Sequence, residues 1–108
     1  MNNEPLKGHL DLLLLQVLAA GGPAHGYQIL AALTTRSGGT FDLPEGTVYP
    51  ALHRLEQQGL LASGWDSSTG RRRRVYSLTR LGGEALQTRR GDWKRFSVGM
   101  ARVLRATA

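Results

Sequence analysis

Leu6, Leu10, Leu13, Leu14, Val17 and Leu18 recur at the three-to-four-residue spacing of one helical face, and Gly21-Gly22-Pro23 closes the segment. This predicts a first helix. Leu12 and Leu15 add apolar residues on its other side, so it should be covered on more than one face. A second, shorter helix fits His25 to about Arg36, with Tyr27, Ile29, Leu30 and Leu33 apolar and Ser37-Gly38-Gly39 ending it. Phe41-Asp42-Leu43-Pro44 reads as an extended connector. A third helix lies between Pro44 and Gly59, where Val48, Leu52 and Leu55 form an inward stripe and Gly59 stands where a left-handed C-cap belongs. Its other face carries Thr47, Tyr49, Pro50, His53, Arg54 and Gln57. Pro50 has no backbone donor and suits the first turn, which Thr47 as N-cap would provide. A start at Pro44 or Glu45 would leave a kink instead.

After Gly59 the pattern turns to strand: Leu60 to Trp65, a tip at Asp66 to Gly70, and a return from Arg71 to Leu78. In the return strand Arg72, Arg74, Tyr76 and Leu78 share one face, while Arg71, Arg73, Val75 and Ser77 share the other. Thr79 is a natural N-cap for a last helix running to about Leu104 despite Gly91 and Gly99, with Gly82 where a capping-box acid would stand. Leu86, Trp93, Phe96, Met100, Val103 and Leu104 fall on one stripe of that helix. A rod of this length must project, and its apolar side calls for a second subunit. The expectation is a homodimer whose seam holds Leu10, Leu14, Leu86, Trp93, Phe96, Met100 and Val103.

A chain of 108 residues has room for one small core. With 14 Lys+Arg against 8 Asp+Glu its formal net charge is +6, the balance expected of a chain with a polyanionic partner. The absence of Cys excludes disulfides, thiol catalysis and Cys-ligated metals, and suits a reducing cytoplasm. No apolar run approaches the ~18 residues of a membrane span, and Met1-Asn2-Asn3-Glu4 lacks the basic start of a secretory signal. His9, His25 and His53 have neither metal-site spacing nor carboxylate companions, and neither a nucleophile elbow nor a dinucleotide-binding glycine motif occurs. Neither an enzyme nor a metal or other cofactor is expected.

Three helices, a hairpin and a trailing helix describe a mostly α winged helix-turn-helix, with residues 1–78 binding DNA and 79–108 forming a dimerisation helix. Particular residues sharpen this. His25-Gly26-Tyr27, the run from Gly46-Thr47-Val48-Tyr49-Pro50 to Leu55-Glu56, Gly59-Leu60-Leu61, Arg72-Arg73-Arg74-Val75-Tyr76 and Leu78-Thr79 resemble successive signatures of the PadR family of transcriptional regulators. The resemblance extends from Leu6-Lys7-Gly8 through Trp93, and the length is similar to that of the short subfamily with a single C-terminal helix. It implies a homodimeric repressor on an inverted-repeat operator, with DNA contacts from Tyr27, Thr47, Tyr49, His53, Arg72, Arg73 and Arg74. It also implies a seat for a flat aromatic effector between the paired last helices, with Trp93 stacking on the ligand and Phe96 beside it. Packing alone equally explains a Trp and Phe stripe at helical spacing.

Two other classes fit the same charge and stripe. One is a sequence-nonspecific nucleic-acid or architectural protein, for which positive charge suffices. The other is an interaction module whose last helix pairs with another protein. Against a merely solvated Arg71 to Arg74, a like-charged run on a strand repels itself and seldom stabilises a fold.

Overall fold

The computed structural model describes residues 8–105, so Leu6 lies outside the described residues. Four helices, α1 (Leu10–Gly21), α2 (Gly26–Arg36), α3 (Glu45–Gln57) and α4 (Arg80–Arg105), accompany strands β1 (Ala24–His25), β2 (Leu61–Asp66) and β3 (Arg73–Leu78). This is a winged helix. The expected two-stranded hairpin is in fact a three-stranded antiparallel sheet of order β1-β3-β2, because Ala24 pairs with Tyr76 and His25 with Val75. A strand of two residues has no periodicity to betray it. His25 is consequently the N-cap of α2 and not its first residue, and its N–H donates to the Gln28 side chain at 3.1 Å.

Apolar faces of α1, α2 and α3 meet over Leu60, Leu61 and Leu86, and Leu14, Leu15, Ile29, Val48, Leu52 and Leu55 have no exposed surface. Both sides of α1 are covered, since Leu14 and Leu15 are equally buried. Leu14 and Leu86, expected in a dimer seam, are used up inside the subunit at 0% and 3% exposure. The apolar spacing of a helix does not say which neighbour, own chain or partner, will cover it.

α3 starts at Glu45 with Pro44 as N-cap, so the alternative start at Thr47 is not the one adopted. The amides of Thr47 and Val48 already donate to the Pro44 carbonyl, at 3.0 and 3.2 Å. Pro50 therefore lies inside the helix and leaves the Gly46 carbonyl without its helical donor. At the other end Leu60 N–H reaches the Leu55 carbonyl and Gly59 N–H the Glu56 carbonyl, both at 3.0 Å, with Gly59 at φ 79°. This double closure needs a left-handed residue, which glycine supplies.

Thr79 caps α4 as expected, its hydroxyl accepting from Gly82 N–H at 2.9 Å. The same hydroxyl donates to backbone carbonyls at Gly59 and Leu60, tying the helix start to the end of α3. A Cβ at Gly82 would stand 2.0 Å from the Leu60 carbonyl oxygen. Glycine is thus required by the close approach of α4 to this backbone. The first turns of α4 belong to the core through Gly82 and Leu86. Farther along, Phe96, Met100, Val103 and Leu104 are exposed, and at ~1.5 Å per residue the helix is about 39 Å long. The subunit is elongated, with extents of 61, 29 and 20 Å. Among the described residues no helix is long and apolar enough to cross a membrane.

Candidate nucleic-acid interface

The N-terminus of α2, the outer face of α3 and the return side of the hairpin from its tip to Tyr76 border an open cleft of about 630 Å³, lined by His25, Gly26, Tyr27, Tyr49, His53, Arg71, Arg73, Arg74 and Tyr76. It contains three arginines and no carboxylate. Such a lining attracts phosphate from a distance and offers charge-assisted donors at contact. Of the residues expected to touch DNA, the structure brings Tyr27, Tyr49, His53, Arg73 and Arg74 to this cleft. Thr47 and Arg72 do not line it. Thr47 is half-buried at the start of α3, and Arg72 stands on the tip side, over the Trp65 ring at 4.4 Å.

Tyr49 reaches the cleft because α2 starts with a glycine: a Cβ on Gly26 would fall 2.6 Å from the Tyr49 ring. The ring edge and its hydroxyl pack on the Gly26 backbone. Burial, then the Glu45 carboxylate and Tyr76, push the Tyr49 hydroxyl above the ordinary tyrosine pKa. Burial likewise raises Tyr76, outweighing the opposing pull of Arg74. Both hydroxyls are therefore neutral near pH 7 and able to donate to a phosphate oxygen.

The wing arginines have separate surroundings. The return strand starts at Arg73, two residues later than expected, because Asp66 extends β2 and its carboxylate accepts from Ser68 N–H at 2.9 Å to fold the tip. That backbone hydrogen bond also holds the Asp66 carboxyl below its ordinary pKa. Arg71 and Arg72 consequently belong to the tip. Arg73 approaches His25 Nε2 at 3.0 Å. Arg74, on the opposite face, lies 5.1 Å from the Trp65 ring centroid. The alternation expected along the strand therefore holds at Arg73 and Arg74.

Arg54, expected on the outward face of α3, is turned sideways to Asp11 of α1 at 2.6 Å, while Arg89 of α4 approaches the other oxygen of that carboxylate at 3.4 Å. A single acid thus joins three helices. At the far end of the subunit His9 meets Trp93 edge-on at 5.1 Å, with Phe96 5.7 Å from Trp93. These rings border a second open pocket of about 430 Å³. Gly26, Trp65, Asp11 and the aromatic role of His9 escaped the reading of the sequence. Trp65 alone had a signal, its place opposite Arg74 once the hairpin register is known.

The family model described as the transcriptional regulator PadR-like family matches residues 14–88. The PadR family transcriptional regulator from Eggerthella lenta is 32% identical, with a TM-score of 0.83 over 96% of this chain and 88% of its own. A PadR family transcription regulator from Clostridium difficile is 33% identical, with a TM-score of 0.76 over 90% and 99% of the two chains. Transcriptional regulator Rv3488 of Mycobacterium tuberculosis is 44% identical over 68 residues, 63% of this chain and 61% of the relative. With the family match spanning well over half its length, this chain belongs to the PadR-like family of transcriptional regulators.

Proposed function

We propose that this DNA-binding regulator is a cytoplasmic homodimeric repressor of the short, single-C-terminal-helix type, acting on an inverted-repeat operator. The observation that carries the reading is the carboxylate-free cleft in which Tyr27, Tyr49, His53 and Arg73 converge beside the exposed face of α3. In this reading α3 enters the major groove, His53 and Thr47 meet base edges, and the wing follows the backbone with Arg72, Arg73 and Arg74. Residues 1–78 bind DNA. Residues 79–108 bring two subunits together along the exposed Trp93, Phe96, Met100 and Val103, joined by Leu10, which is only partly buried against the subunit's own core. A second reading adds an effector: the ring cluster of His9, Trp93 and Phe96 offers a flat aromatic molecule an apolar seat in the pocket they border.

Two variants, one on α3 and one on the wing, test the division of labour. His53→Ala should alter preference at one base position by ~1–3 kcal/mol and leave other positions alone. Joint replacement of Arg72 and Arg73 by Ala should weaken binding to every duplex and flatten the plot of log affinity against log salt by about 0.9 for each lost phosphate contact. Fluorescence anisotropy across a salt series measures both. An unchanged slope in the wing variant would remove the wing from the interface.

A further inference from the structure

Glu56 stands in the last turn of α3, on the side that faces the hairpin. Its Oε2 accepts from the Ser63 hydroxyl of β2 at 2.6 Å and faces Arg74 of β3 at 3.5 Å. Arg74 donates through Nε to the same Ser63 oxygen at 2.9 Å and spreads its guanidinium over the Trp65 ring, whose surface Arg72 also covers. The other carboxylate oxygen of Glu56 is buried and makes no hydrogen bond to the described residues. An acid kept only for solubility would leave both oxygens in water. This one is committed to a corner where α3 and both strands of the wing meet, beside a surface that is otherwise cationic.

We infer that Glu56 is a positioning residue for DNA binding: by holding Ser63 and Arg74 it fixes the angle between the reading helix and the wing and sets the Arg74–Trp65–Arg72 stack. The inference rests on the reading of α3 and the wing as the DNA interface. Arg74 thereby becomes a strut, bonded within the protein, and Arg72 remains as an exposed cation of the wing, while Arg73 is half-buried against His25. The sign of the effect separates this role from plain electrostatics. A carboxylate near DNA repels phosphate, so removing one that has no other task strengthens binding to every duplex. Removing a strut instead loosens the geometry on which the preferred sequence depends, while random duplex gains from the lost repulsion.

The probes are a duplex selected from random sequence by the wild-type protein and an unselected duplex of equal length. Glu56→Ala should lower the ratio of the two affinities about tenfold or more, as for a contact network that has lost a member. Glu56→Gln keeps an acceptor for Ser63 and Arg74 and should restore most of the ratio. Arg74→Lys keeps the charge but loses the Nε donor and the flat stack, so it should lower the ratio as well, which a mere phosphate contact would not do. In a Trp93→Phe background Trp65 is the sole indole, and its emission should shift in Glu56→Ala and not in Glu56→Gln. An unchanged ratio in Glu56→Ala, or a rise in both affinities together, overturns the proposal. If the wild type prefers no sequence, the reading of the interface fails instead, and an unmoved Trp65 emission in Glu56→Ala then overturns the strut on its own.

Discussion

Gly82→Ala is expected to destabilise the subunit by about 2–3 kcal/mol, the upper part of the range for overpacking a filled site. The added methyl group would meet the Leu60 carbonyl oxygen at 2.0 Å and Leu78 Cδ1 at 2.8 Å. A side chain can turn away, but the Leu60 backbone is fixed by Thr79 N–H and the Thr79 hydroxyl. Alanine improves helix propensity by up to ~1 kcal/mol over glycine, too little to offset this clash. Gly99→Ala on the same helix has open space around it and should stabilise by about 0.5–1 kcal/mol. Urea unfolding at one fixed protomer concentration compares the two variants. Equal effects of the same sign would mean that α4 does not dock on the Leu60 backbone as described.

The second large effect concerns the outer half of α4. Val103 is 76% exposed in the subunit, so Val103→Glu has no core to disturb. If the apolar side of α4 meets its symmetry mate, the introduced carboxylate is buried at the seam and the dimer should dissociate in light scattering while the subunit stays folded. Trp93 is 44% exposed in the subunit. Trp93→Ala should therefore reach the ~3–5 kcal/mol of a fully packed tryptophan only when a partner covers the rest of the ring. Operator affinity falls with the dimer, since each half-site alone supplies half the contacts. Should Trp93 line an open effector site instead, Trp93→Ala spares dimer and operator binding. With Trp65→Phe in place, Trp93 is the reporter whose quenching by planar aromatic compounds that change would abolish. A monomeric wild type, or a Val103→Glu dimer as stable as the wild type, would contradict the seam.

How much of this was legible in the sequence follows from the range of each interaction. The Val48, Leu52 and Leu55 stripe, Gly59 after it and Thr79 before α4 are local patterns, and each stands in the structure where the sequence places it. Pro50 was ambiguous for a local reason. A first-turn proline satisfies propensity, but an extended Pro44 already accepts the first helical bonds, so the helix starts two residues before Thr47. Gly82 looked like a missing capping acid, and only the path of the Leu60 backbone shows that no side chain fits there. β1 was invisible because two residues carry no alternation, and Leu14 and Leu86 went to the subunit's own core because spacing names a face without naming its partner. At the candidate interface, the family resemblance nominated Tyr27, Tyr49, His53, Arg73 and Arg74, and the structure places these five around one cleft. The pairing of Arg54 with Asp11, 43 residues away, and of Arg74 with Glu56 depends on packing angles between elements, which no run of adjacent residues encodes.

Competition between a selected duplex and random duplex for the wild-type protein, at fixed salt near 0.15 M, tests the central claim most directly. Selection should recover an inverted repeat whose half-site centres lie about 34 Å apart on one side of the helix. The selected duplex should then win by about 10³ or more over random sequence of equal length. Recovery of no common sequence, with the two duplexes competing equally, would contradict a reading helix and leave a protein that recognises only the phosphate backbone.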